Sequence, residues 1–109
     1  MRLTGIEGGA GKIVQGGAAA ALLAECLGAY ETGSVDALFD LGVAFSAGGN
    51  GVTIDMVEAH KWFNIAAAQG HEDAAFCRAD VSDEMTAREI AEAQRRARHW
   101  LAEGQRKTA

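Results

Sequence analysis

Proline is absent from the 109 residues, only two are cysteine, and 6% are aromatic. The lack of proline removes the residue that most often breaks helices, and abundant alanine favours them. Two cysteines, Cys26 and Cys77, are too few for a disulfide framework, so we expect reduced, helix-buried thiols. The sequence has no C-x-x-C pair and no Cys–His cluster, which leaves no expected metal or cofactor.

The charge is predominantly acidic, with 15 acids, 10 bases and a formal net charge of -5. Nucleic acid is therefore not an expected partner, because its phosphates demand Lys and Arg. A content of 49% hydrophobic and 23% charged residues is typical of a folded domain. No run approaches the roughly 18 apolar residues of a membrane span, and Glu25 before Cys26 argues against a processed leader. We expect no membrane association and a cytoplasmic location.

Hydrophobic spacing predicts helices over about 18–31, 35–47, 56–69, 72–80 and 87–103. Residues 1–17 hold six glycines and are expected to be a flexible tail. Residues 18–104 form the predicted helical domain, and 105–109 a flexible C-terminus. Asp55 is the expected N-cap of the third helix, and Thr86 with Glu89 has the capping-box pattern before the last. Because alternating runs of strand length are missing, the predicted fold class is all-α.

The sequence also repeats itself. The run G-S-V-D-A-L-F from Gly33 returns as G-H-E-D-A-A-F from Gly70, 37 residues later. An A-x-x-W pattern ending at Trp62 returns at Trp100. A period in the high thirties is typical of stacked helical hairpins.

The segment 37–74 resembles a Sel-1-like repeat (SLR), a relative of the tetratricopeptide repeat (TPR). Its motif reads A-x-x-x-L-G-x-x-F, then G-x-G-V-x-x-D in the hairpin loop, then A-x-x-W and A-A-x-x-G-x-x-x-A. The resemblance implies a short right-handed α-solenoid of antiparallel helical hairpins. The complete repeat covers about 37–74, partial repeats lie on either side, and the last helix acts as a C-terminal cap. The matching residues are Ala37, Leu41, Gly42, Phe45, Gly49, Gly51, Val52, Asp55, Ala59, Trp62, Ala66, Ala67, Gly70 and Ala74.

The same resemblance implies a non-catalytic role as a protein-interaction adaptor or scaffold, similar to small bacterial SLR proteins. Such solenoids bind a protein or peptide on the concave side, which is lined by the first helix of each hairpin. Phe39 and Phe76, each flanked by acids, are either partner contacts or core residues, and the sequence leaves both open. The expected concave positions are Asp36, Phe39, Asp40, Val43, Asp73, Phe76, Cys77 and Asp80.

Charge is unevenly distributed along the chain. Residues 17–86 carry eleven acids and two bases, whereas residues 87–109 carry six bases and three acids. The acidic surface favours a basic partner. The basic last helix either contacts a second partner or folds back on the acidic body, and we expect the latter.

Two other functions stay open. A homo-oligomeric building block would bury apolar faces at the open ends, because stacks usually need about three repeats. A hydrolase or ligand-binding protein is a more distant alternative, drawn from cysteine-rich relatives whose hairpins each carry paired cysteines, unlike those of this chain. No catalytic motif is present, and His60, His71 and His99 are expected on the solvated surface, so we expect no enzymatic activity.

Overall fold

The computed structural model describes the backbone of residues 7–108 and the side chains of residues 17–104. Within this range the chain forms five α-helices and no strand beyond an isolated bridge between Gly49 and Val52. The prediction of an all-α fold is confirmed. The helices are α1 (Glu7–Glu31), α2 (Asp36–Ala47), α3 (Met56–Ala68), α4 (Glu72–Ser82) and α5 (Ala87–Thr108).

The two terminal helices are longer than predicted. Helix α1 begins at Glu7 rather than Ala18, and α5 continues through Gly104 to Thr108. Once a helix is nucleated, each added residue gains one backbone hydrogen bond, and a single glycine costs only about 1 kcal/mol. Residues 1–6 of the predicted N-terminal tail and residue 109 lie outside the described residues. The division into a tail, a helical domain and a C-terminus stays a prediction.

Helix α3 is the centre of the fold, because it packs against α2, α4 and α5, while α1 packs against α2. An aromatic cluster joins α1, α3 and α5: the Trp62 and Trp100 rings meet edge to face at 5.5 Å between centroids, and Tyr30 lies 5.7 Å from Trp100. Each large apolar side chain removed from water contributes about 1.5–3 kcal/mol. The largest fully buried side chains are Trp62, Phe63, Leu38, Leu41 and Ile65.

Close contact between α2 and α3 depends on the missing side chain of Gly42. A Cβ atom at this position would lie 2.4 Å from Cδ1 of Phe63, which is far inside van der Waals contact. The Phe63 ring therefore occupies the space that a side chain at position 42 would need. The Leu41–Gly42 pair of the motif has a packing role in this fold.

The hairpin loop between α2 and α3 contains four consecutive residues with positive φ, from Gly48 to Gly51. Glycine adopts this left-handed region without a steric penalty, which allows the chain to reverse tightly. Asp55 then begins α3 as predicted, since its side chain accepts a hydrogen bond from the backbone N–H of Glu58 at 3.1 Å. The loop part of the motif sets the geometry of the hairpin.

Most of the apolar motif positions are buried. Ala67 is half-buried, and the exposed Gly49, Gly51 and Gly70 all have positive φ. In the part of the chain that the structure describes, no helix combines the length and the hydropathy needed to cross a bilayer. The buried positions are Ala37, Leu41, Gly42, Phe45, Val52, Ala59, Trp62, Ala66 and Ala74.

Candidate interaction face

The residues predicted to bind a partner lie on α2 and α4, which contact each other. We call this surface the α2–α4 face. It consists of Asp36, Phe39, Asp40 and Val43 on α2 and Asp73, Phe76, Cys77 and Asp80 on α4. Phe39 and Cys77 are half-buried, and the other six residues are exposed.

The two phenylalanines of the α2–α4 face have different environments. The Phe39 ring lies 5.6 Å from the Phe63 ring and stacks on the His71 ring at 4.5 Å, with an interplanar angle of 12°. Phe76 is 73% exposed, the largest exposed fraction among the exposed large apolar side chains. The structure therefore places Phe39 against the core and leaves Phe76 open to contact.

His71 connects α2 to α4 through both ring nitrogens. Its Nδ1 accepts a hydrogen bond from the backbone N–H of Ala74 at 3.1 Å, which caps α4. Because Nδ1 accepts, the ring proton of the neutral form is on Nε2, which lies 2.8 Å from Oδ1 of Asp36. Both nitrogens of His71 are engaged, so neither is free to act as a base on a substrate.

A groove of about 620 Å³ lies between α1, α2 and the loop that follows α2, and it adjoins the α2–α4 face. Asp40 and Val43 line it, together with residues of α1 that the sequence interpretation did not select. Its walls are mostly apolar, and two carboxylates belong to its lining. The α1 residues that line it are Ala18, Ala21, Leu22 and Glu25, whose spacing of three and four places them on one helix face.

Carboxylates lie close enough to both cysteine thiols to affect their pKa values. Burial raises the pKa of the Cys26 thiol, and the carboxylates of Asp40 and Glu25 raise it further. Burial likewise raises the pKa of the Cys77 thiol, with Asp80 and Asp73 adding to the effect. A raised pKa keeps a thiol protonated, and the protonated thiol is a weak nucleophile.

The histidines do not all lie on the surface, and the prediction is wrong for His60 and His71. His60 is only 2% exposed, and its Nδ1 has no hydrogen-bond partner among the described residues. Burial lowers the pKa of its imidazole, and the Arg78 guanidinium lowers it further. His60 is covered because α3 is enclosed by three other helices. Among the described residues, no group of three or more His, Cys, Asp or Glu is placed to hold a metal ion.

Besides its packing against α3, the basic helix α5 is joined to the acidic body by one ion pair among the described residues. Arg96 Nη1 lies 2.8 Å from Glu58 Oε2 on α3, and Arg96 also pairs with Glu92 on its own helix. Hydrogen bonds from Arg95 and Arg96 lower the pKa of the Glu92 carboxyl to about 2. Arg98 is exposed and makes no ion pair with a described residue. We expected the basic helix to fold back on the acidic body. Among the described residues, Arg96 makes the ion pair that does so, and the other bases of α5 do not.

Comparison with protein-family models, with curated proteins and with solved structures finds no match to this chain. The described residues form an all-helical domain. Its acidic α2–α4 face carries one exposed aromatic ring, that of Phe76.

Proposed function

We propose that this chain is a non-catalytic protein-interaction module of the SLR type, an adaptor or scaffold that binds a basic protein or peptide segment on the α2–α4 face. The observation that carries the proposal is Phe76, an exposed aromatic side chain flanked on its own helix by Asp73 and Asp80. Aromatic side chains within a polar rim dominate many protein interfaces. Surrounding acids attract and orient a basic partner.

The arrangement of the helices supports the proposed SLR architecture. Helix α3 packs against the helices before and after it, α2 and α4, and also against α5. These are the neighbours that the second helix of a hairpin has in a stack of hairpins. In the proposed right-handed solenoid, α2 and α4 are the first helices of successive hairpins and α5 is the terminal cap.

The engaged nitrogens of His71 and the raised pKa values of both thiols support a non-catalytic role. Both cysteines are free, which supports a reducing compartment. We propose the cytoplasm, and the resemblance to small SLR proteins favours a bacterial cell.

Selection from a displayed library of random peptides tests the proposed function. The bait is the full chain, and the comparison bait is the Phe76→Ala/Asp80→Lys variant, with its fold checked by circular dichroism. We expect the native chain to enrich peptides that combine a basic residue (Lys, Arg or His) with an apolar residue, and the variant to lose them. Ile54→Ala is the matched control, because Ile54 is exposed and apolar but lies in the loop before α3. Enrichment that survives the Phe76→Ala/Asp80→Lys change, or no enrichment at all, would contradict the proposal.

A second candidate function is a homo-oligomeric building block. It is favoured by the presence of an acidic face on α2 and α4 together with exposed bases, Arg88 and Arg98, on α5 of the same chain. A second copy could place its α5 on the acidic face. Sedimentation equilibrium over a range of protein concentrations separates the two functions, because only the building block predicts self-association that weakens with added salt.

A further inference from the structure

The internal repeat places an Asp–Phe pair at equivalent positions of the two face-forming helices. Asp36 and Phe39 on α2 correspond to Asp73 and Phe76 on α4, 37 residues later. In each helix the two residues are three positions apart, so their side chains lie on the same face. The pair on α2 already binds a side chain, whereas no ring or ion-pair partner among the described residues contacts the pair on α4.

On α2 the occupant is the imidazole of His71. Its ring lies flat on the Phe39 ring at 4.5 Å, while its Nε2 is 2.8 Å from Oδ1 of Asp36. The phenyl ring supplies a flat apolar surface, and the carboxylate accepts an N–H that lies in the plane of the stacked group. This geometry selects a planar side chain that carries N–H donors at its edge.

On α4 the equivalent positions are open. Phe76 is 73% exposed, and neither an aromatic ring nor an ion pair from the described residues engages Phe76 or Asp73. The residue 37 positions after His71 is Thr108, which has no ring to offer. Asp80, one helical turn after Phe76, adds a second exposed carboxylate.

We propose that Asp73 and Phe76 form a binding site for the side chain of an arginine or histidine on a partner protein. The guanidinium and imidazolium groups are both planar, cationic and edged with N–H donors, so each can stack on Phe76 while donating to Asp73. Lysine carries the same charge on a compact ammonium group that cannot stack in this way. The inference rests on the proposed function, and it names the anchoring side chain of the partner.

The structure also argues against His71 of a second copy as the occupant. The side chain of His71 is only 13% exposed, and both of its nitrogens are already engaged. Arg98 and His99 of a second copy are exposed, and their participation is an outcome that the experiment distinguishes.

The test uses peptides recovered from the random library on the full chain. Each is resynthesised with its anchoring Arg or His replaced by the other, by Lys and by Gln, and binding is measured by fluorescence anisotropy. We expect exchange between Arg and His to keep binding within about twofold. Replacement by Lys, whose ammonium group cannot lie flat on the ring, should weaken binding about two- to fivefold, the size of a ring contact at an exposed site. Phe76→Leu and Asp73→Asn in the chain should remove this preference for Arg or His over Lys, whereas Ile54→Ala should keep it.

The outcomes separate this inference from the proposed function. Peptides that bind through Phe76 but accept Lys as well as Arg would overturn the inference and leave the interaction module intact. Failure to recover any peptide would overturn the proposed function and the inference with it. A further outcome is that added unlabelled chain displaces the selected peptides from the Asp73–Phe76 site. If Arg98→Ser/His99→Ser in the added chain abolishes this displacement, the occupant is a second copy and the assignment to a partner protein is wrong.

Discussion

The α2–α3 hairpin and the segment that holds α4 and α5 carry matching residues 37 or 38 positions apart, but they differ in what they bury. On α2, Leu38 and Leu41 are fully buried and face the core. At the equivalent positions α4 has Ala75 and Arg78, both only half-buried. The α2–α3 hairpin therefore supplies the largest fully buried side chains of the core, whereas α4 buries only Ala74 and Val81. Matching sequence positions contribute to the core on α2 and to the exposed surface on α4.

The two Asp–Phe pairs show the consequence of this difference for individual residues. Phe39 is stacked by His71 from the start of α4, whereas Phe76 has no such ring over it among the described residues. The exposure of each aromatic side chain therefore depends on whether a later part of the chain packs over it, and not on its own sequence surroundings.

Truncation of Trp62 should produce the largest loss of stability. Trp62 is 2% exposed and contacts Trp100 edge to face, so Trp62→Ala leaves a cavity in the centre of the fold. We expect a loss of about 3–5 kcal/mol, enough to unfold a small domain. Thermal denaturation followed by circular dichroism measures the effect. Unchanged melting would disprove the packing assigned to α3.

Adding one methyl group at Gly42 should have the next largest effect. The new Cβ would lie 2.4 Å from the Phe63 ring, so Gly42→Ala should cost about 1–3 kcal/mol through overpacking. Gly28→Ala is the matched control, because Gly28 lies within α1 and its new Cβ meets no atom within 4 Å. That change should stabilise the helix by about 0.5–1 kcal/mol. Urea denaturation should give opposite signs for the two variants, and equal signs would contradict the close approach of α2 and α3.

Removal of the His71 side chain tests the connection between α2 and α4. His71→Ala removes the cap on Ala74 and the ring stacked on Phe39, and should cost about 0.5–2 kcal/mol. His71→Asn keeps a side-chain oxygen for the cap but has no ring to stack. The Asn variant should therefore recover part of the loss, as measured by urea denaturation. Full recovery would show that the stacked ring contributes nothing.

Burial of His60 predicts a pH dependence. Burial and Arg78 lower the pKa of His60 in the folded state below the ordinary value of 6.5. As the pH falls through 6.5, the unfolded chain takes up a proton that the folded chain does not, so the free energy of unfolding decreases. His60→Leu should make the decrease between pH 7 and about pH 5 smaller, whereas His99→Gln, at an exposed position, should leave that contribution in place. A His60→Leu variant with the same slope as the native chain would contradict this account.

The spacing of apolar residues predicted most of the fold. It identified five helices, the buried stripes on α2 and α3, and the caps at Asp55 and Thr86, because these features depend on neighbouring residues in the chain. The two helices that extend into or past glycine positions, α1 and α5, were predicted to be shorter than they are, because glycine weakens a helix without always ending it.

Features that depend on distant neighbours were not predictable in the same way. His60 is buried because three helices pack around α3. The spacing of apolar residues in the sequence does not reveal how many helices will surround a given helix. The groove between α1 and α2 depends on how far apart the two helices lie. The different environments of Phe39 and Phe76 also required the structure, because both follow an Asp three residues earlier.

The central claim is that Phe76 belongs to a binding surface and not to the core. The most direct measurement determines the free energy of unfolding and the affinity for a selected peptide on the same Phe76→Ala sample. We predict that the free energy of unfolding stays within about 0.5 kcal/mol of the native value while peptide binding is lost. A large loss of stability, or peptide binding that is unchanged, would contradict the claim.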